Sequence, residues 1–295
     1  MDRLALPLVY LIALLPLPAV RLLAVILGTP MAWLPSDKKR TALINLRACF
    51  PDMSEQERGR IARRSLVHEL TTILELMRLW LGPISKVPRA VKQVNGREHI
   101  EAAFARGKGL ILLTPHLGNG EAAGLHFCAN YDLHGVYKPQ KGLLERLSLQ
   151  GRSRFGASLI PTDGRPVGVQ VAEMLNDNHA VYFMPDQDPP EGRGVFAPFF
   201  GIPAHSPRLV ALLQEHTEAE VLLMFGYRLP WGRGFTVDYI KPPEGAYSTD
   251  PLTNATALNQ AVETAIRKHP DQYWWSYKRF RRRPPGEPAF YPRKK

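Results

Sequence analysis

Cysteine is almost missing: Cys49 and Cys128 are the two in 295 residues. So few thiols exclude a disulfide framework and any paired-cysteine zinc motif, and they fit a reducing compartment. A Gly-x-Ser-x-Gly nucleophile elbow is absent too, and neither cysteine stands in a recognisable catalytic setting, which argues against a hydrolase with its own nucleophile. His116, His126 and His134 lack the spacing of a helical zinc pair and have few acids near them, so no metal is expected. No internal repeat or low-complexity linker divides the chain. Acids are short as well: 27 Asp and Glu face 38 Lys and Arg, a net charge of +11. That balance favours nucleic acid, an anionic membrane or an acidic protein or substrate, and alone it does not choose among them.

Uncharged apolar sequence is plentiful at the start. Leu4 to Val20 carries no charge, and after Arg21 the apolar run continues to Leu34. If helical throughout, it is long enough to cross a bilayer. Pro7, Pro16 and Pro18 kink or split such a helix, so a segment lying in one leaflet is the second reading and a buried core helix the third. A cleaved signal peptide fits poorly with the short, mixed-charge start. Lys38, Lys39, Arg40 and Arg47 follow, then Arg58, Arg60, Arg63 and Arg64, which by the positive-inside rule puts the rest of the chain on the cytoplasmic side. The expected division is a hydrophobic membrane segment over 1–34 and a catalytic domain over 35–295.

Ser54 and Glu57 have capping-box spacing and open a helical pattern that Gly82 and Pro83 stop. His68 lies inside it and reads as a packed or exposed helix residue. From about Val91, short apolar runs alternate with helical patterns, the signature of an α/β fold with a mostly parallel central sheet flanked by helices. Ser206 and Pro207 look like the start of a helix through Gln214.

The centre of the pattern is GLILLTPHLGNGEAAG, Gly109 to Gly124. A strand ends at Pro115, a turn carries His116, Gly118, Asn119 and Gly120, and a helix starts at Glu121. In open α/β sheets ligands bind at the carboxyl ends of the strands, where this geometry places His116 and Glu121. Five residues apart on one ideal helix they would splay about 140°, so they meet only if His116 lies in the turn. Meeting there, they would form a general base with an orienting carboxylate, suited to activating a hydroxyl for direct attack on a second substrate. A rival reading uses Gly118, Gly120 and Gly124 as a loosened dinucleotide fingerprint, although Lys138 and Lys141 stand where a ribose-binding acid belongs.

Three further stretches are candidates. Arg152 and Arg154, in GRSRFG, either bind phosphate or complement a helix end. Pro185 to Gly201 mixes Asp186, Gln187 and Asp188 with Phe196, Phe199 and Phe200, either a lipid-facing site or a folded loop on a packed Phe cluster. Tyr273 to Pro284 interleaves aromatics with Lys278, Arg279, Arg281, Arg282 and Arg283, suiting stacked bases or a membrane interface; the apolar start of the chain favours the membrane.

Together these stretches resemble the bacterial lipid A late acyltransferases, within the wider glycerolipid acyltransferase group. NLRACFPDMS (45–54), RRSL (63–66), PHLGNGE (115–121), the 136–165 region, PDQD with VFAPFFGIPAHS, and DQYWWSYKRFRRRP occur in the family's order. The resemblance implies transfer of a lauroyl-like chain from acyl carrier protein phosphopantetheine to a hydroxyl of a 3-hydroxyacyl chain on a phosphorylated lipid A precursor. It implies no separate cofactor, no nucleic-acid partner, and a place at the cytoplasmic face of the inner membrane. By the same resemblance His116 and Glu121 are the catalytic pair, acting without an acyl-enzyme. Arg152, Arg154, Asp186, Gln187 and Asp188 would position phosphate and acyl groups, with Arg154 on the developing oxyanion. Acylation of another glycolipid is the nearest alternative; an NADP-dependent oxidoreductase and a non-catalytic basic binding protein are alternatives of other classes.

Overall fold

Residues 110–113, LILL, are apolar at every position because both of their faces are covered. In the computed structural model, which describes residues 2–162 and 165–292, Ile111 and Leu113 pack with Val171, Leu175 and Val210 on one side. Leu110 and Leu112 meet Ile100, Ala123 and Phe127 on the other. Asp163 and Gly164, within the 136–165 motif region, lie outside the described residues, as do Met1 and 293–295.

Helices α1 (Asp2–Leu14), α2 (Leu17–Trp33), α3 (Asp37–Cys49), α4 (Glu55–Leu81) and α5 (Lys86–Ala90) come first. Strands and helices then alternate through β1 (Val91–Asn95), α6 (Arg97–Ala105), β2 (Leu110–Leu113), α7 (Gly120–Cys128) and β3 (Leu133–Tyr137). They continue through α8 (Gly142–Ser153), β4 (Ser158–Pro161), α9 (Val167–Asn176) and β5 (Ala180–Phe183). A hairpin of β6 (Gly194–Phe199) and β7 (Ile202–Pro207) precedes α10 (Leu209–His216), β8 (Glu220–Arg228), β9 (Phe235–Ile240) and α11 (Pro251–Lys268). The described strands form a seven-stranded sheet in the order β1-β9-β8-β2-β5-β3-β4, with β6 and β7 apart as a pair. It is parallel except that β9 runs against β8, so β1 and β9 are reversed. Strand β2 sits mid-sheet between β8 and β5, which puts its carboxyl end in the crevice expected for ligands.

Helix α4 begins with both halves of the Ser54–Glu57 capping box formed. Two local expectations are corrected. Ser206 and Pro207 end strand β7 instead of opening a helix, because the Ser206 hydroxyl is held by the Ala204 carbonyl and by Asn259, and Ser206 pairs in register with Val195. Residues 194–199 are likewise a strand of that hairpin rather than loop. Its Phe199 is buried and Phe200 lies edge-on to it at 5.0 Å, beside Phe50 and Trp275.

The apolar N-terminus breaks at Leu15–Pro16 into α1 and α2, and no single described helix is long and apolar enough to cross a membrane; only α2 and α3, bent by 80°, pass together on length and composition. Val20 and Ala24 of α2 pack against Leu74 of α4. The outward side leaves Leu8, Leu11, Leu22, Ile26, Met31 and Trp33 exposed. Arg21, the one charge in α2, is buried and turned inward.

Candidate active site

The turn after β2 is held by main-chain contacts that only glycine permits. Gly118 has φ +68°, and a Cβ there would lie 2.2 Å from the Gly226 carbonyl oxygen; a Cβ on Gly226 would meet the Asn119 oxygen at 2.2 Å. The Asn119 N–H donates to the Gly226 carbonyl at 2.7 Å and the Gly118 N–H to the Gln272 carbonyl at 3.0 Å. These amides, which a dinucleotide reading would aim at a pyrophosphate, are already used inside the protein. The Asn119 side chain caps α7 by accepting from the Ala122 N–H and donates to the buried Glu75 carboxylate.

His116 therefore sits in a rigid turn and not on the helix. Its Nδ1 lies 3.0 Å from Asp186 Oδ1, and its own main-chain N–H donates to Asp186 Oδ2 at 3.0 Å. With a carboxylate on Nδ1, that nitrogen carries the proton and Nε2 is left as the base. The Gln187 amide nitrogen is 3.3 Å from Nε2. Burial pushes the imidazole pKa down, but the charge and hydrogen bond of Asp186 outweigh it and the pKa ends raised. Asp186 is held below its ordinary value by the same pairing, against its own burial. The ring lies between Trp274, at 5.4 Å, and Tyr277, nearly parallel at 6.1 Å.

Glu121, on the first turn of α7, is engaged elsewhere. Arg152 of α8 grips it bidentately at 2.8 and 2.9 Å, and the Trp80 indole N–H donates to it at 2.8 Å. Burial raises the Glu121 pKa and Arg152 more than reverses this, so the carboxylate stays charged. Asp186 thus stands on the imidazole where reading along the chain places Glu121, and Glu121 holds an arginine instead. Arg154 donates to the Trp80 and Gly82 carbonyls at 2.5 and 2.9 Å, closing the carboxyl end of α4. The Asp188 carboxylate is enclosed by His205, Arg281 and Arg282, and its main-chain N–H donates to the Tyr277 hydroxyl.

The C-terminal aromatic segment is a strap along this turn. Leu117 bridges to Tyr273, and the Trp274 N–H donates to the His116 carbonyl at 3.1 Å. Tyr273, Trp275 and Phe280 are buried, and Arg279 is buried too, with its guanidinium on the His205 carbonyl and the Ser206 hydroxyl. Beneath the turn lies an ionic network absent from the sequence-based candidates. Glu75 takes Arg21 at 2.6 Å and Arg228 at 2.9 Å, while Arg21 also donates to the Leu229 and Gly234 carbonyls. Among the described residues no three His, Cys, Asp or Glu side chains gather as a metal site.

Fold and site define an α/β protein with an oriented histidine at the carboxyl end of the central strand, its Nδ1 on Asp186 and its Nε2 beside the exposed Gln187 amide. The chain belongs to the bacterial lipid A biosynthesis acyltransferases, whose family profile matches residues 2–282. It is 28% identical to the lipid A biosynthesis lauroyltransferase of Escherichia coli K12 over 86% of this chain and 83% of that one. It is 27% identical to the palmitoleoyltransferase of the same organism, over 94% and 90%, and 26% identical to its myristoyltransferase, over 91% and 83%.

Proposed function

We propose that the protein carries out secondary acylation in lipopolysaccharide biosynthesis, moving a fatty acyl chain from acyl carrier protein to a hydroxyl on a 3-hydroxyacyl chain of a phosphorylated lipid A precursor. The observation that carries this reading is the His116–Asp186 pair, with Nδ1 on the carboxylate and Nε2 beside the Gln187 amide, in a chain of this family. Nε2 takes the proton of the acceptor hydroxyl, and Asp186 supports the imidazolium that forms. The oxygen attacks the thioester carbonyl directly. Collapse of the tetrahedral intermediate expels the phosphopantetheine thiolate, which takes the proton back from the ring. The exposed Gln187 amide, against Nε2, is the donor we assign to the developing oxyanion. Glu121 serves the site through Arg152, and Arg154 through the end of α4.

The exposed apolar side of α1 and α2 suits a one-leaflet anchor in the inner membrane, with the basic chain on the cytoplasmic side drawing both an acidic carrier protein and a phosphorylated lipid. The test is mass spectrometry of lipid A from a strain lacking this chain, complemented with the natural sequence or with His116→Ala. Loss of one acyl group restored only by the natural sequence supports the reading, and the mass difference gives the chain length; an unchanged lipid A in a strain without paralogues refutes it and points to another glycolipid acceptor.

A further inference from the structure

A cavity of about 740 Å³ opens beside the start of β1, β9 and the loop that joins β8 to β9. Five cations line it, Arg78, Lys86, Arg89, Lys92 and Arg233, and no acid does. Its remaining walls are apolar or glycine, among them Pro16 and Leu17 at the junction of α1 and α2. Arg78 is only 7% exposed, its Nε is buried without a hydrogen bond, and its guanidinium has no ion-pair partner among the described residues. Gly82 makes room for it, since a Cβ there would fall 1.9 Å from an Arg78 terminal nitrogen. Every other buried arginine named above has a carboxylate or carbonyl to hold; this one faces a cavity. Burial depresses its pKa, the direction expected of a cation without a counter-charge.

At the tip of the same β8–β9 loop, Trp231 is 91% exposed and sits at φ +57°, a left-handed conformation unusual for a bulky residue. An indole held out at such cost beside arginines suits the head-group layer of a bilayer. The cavity also shares its end of the sheet with the catalytic turn. Gly118 bridges to Gly226, and Leu229 of the cavity wall lies three residues further along that chain, about 10 Å at strand rise.

We propose that this cavity binds a phosphate group of the acceptor lipid, with Arg78 as its buried floor, Lys86, Arg89, Lys92 and Arg233 around the rim and Trp231 at the membrane interface. The assignment rests on the lipid A reading for its source, while the phosphate chemistry rests on the cavity alone. Two measurements separate these. Dodecyl phosphate titrated into the full-length protein in dodecyl maltoside should bind, and Arg78→Gln or the surface double variant Arg89→Gln/Arg233→Gln should weaken it about tenfold or more, the loss expected for charge-assisted bonds to phosphate. Equal binding by natural protein and a folded double variant overturns the site, whether or not the chain acylates lipid A. Next, kcat/KM is compared for the phosphorylated precursor and for the same lipid stripped of its phosphomonoesters. The natural protein should prefer the phosphorylated form and the double variant should lose about tenfold of that preference. An unchanged preference, with dodecyl phosphate binding lost, overturns the acceptor as source and assigns the phosphate to bulk phospholipid. Absence of any transfer to either lipid refutes the acylation reading and leaves the first measurement standing.

Discussion

At the level of single residues the site turns on which carboxylate serves the imidazole. Asp186→Asn keeps the shape but removes the charge on Nδ1, so kcat should fall by about 10³ to 10⁴. The base works deprotonated, and Asp186 raises the pKa of His116, so activity in the natural protein should rise with pH through a midpoint above the ordinary histidine value. In Asp186→Asn that midpoint should move to lower pH. Glu121→Gln should reduce turnover while leaving the midpoint where it was, because Glu121 pairs with Arg152; pH–rate profiles of the purified variants check both. A midpoint that shifts in Glu121→Gln and stays in Asp186→Asn would restore the near acid as the partner. That His116 would lie in a glycine turn after a buried strand was legible in sequence. Asp186 was visible as a polar residue in the stretch from Pro185 to Gly201, but its pairing with His116 was not, since the two are 70 positions apart. A signal existed all the same: Leu113 pairs with Phe183 across β2 and β5, and His116 and Asp186 each lie three positions beyond that pair. Neighbouring parallel strands bring equal offsets together, and finding this needs the strand order, which periodicity along the chain does not contain.

Among elements, boundaries read well where a local chemical signal exists and poorly where long-range packing decides. The capping box of α4 and the apolar run of β2 are local, and they appear as expected. Ser206 and Pro207 have helix-start chemistry, yet Asn259, Arg279 and the pairing with β6 hold them in a strand. The approach of α8 to α4 is equally invisible in sequence: a Cβ on Gly151 would lie 2.3 Å from the Trp80 Cβ. Gly151→Ala should therefore cost about 1–3 kcal/mol by overpacking and should push Trp80 off Glu121. The expected readings are a lower midpoint in urea and a change in tryptophan fluorescence, and an unchanged midpoint would show that the helices have slack. Breaking the ionic network should be worse. Glu75→Gln leaves Arg21 and Arg228 buried without their counter-charge, a loss of about 3–5 kcal/mol that thermal melting would register.

For the whole molecule, the N-terminal apolar helices are both outer surface and part of the structure. Replacing Leu22 and Ile26, which are exposed, with Ser should release the protein from membranes without lowering its melting temperature. Deleting residues 1–34 should instead yield protein that does not fold, because Glu75 and the Leu229 and Gly234 carbonyls lose Arg21. Membrane flotation paired with melting curves distinguishes the two, and a stable truncated protein would mean that α4 covers itself. The hydrophobic run was plain in the sequence; that its single arginine would point inward was not, because each of its partners is remote. That remoteness has a consequence for biosynthesis. The Gly234 carbonyl that completes the seat of Arg21 leaves the ribosome 213 residues after it, roughly 10–40 s at ordinary rates of translation. Throughout that interval the apolar helices around Arg21 are already made while the last of the groups that seat it is still to come.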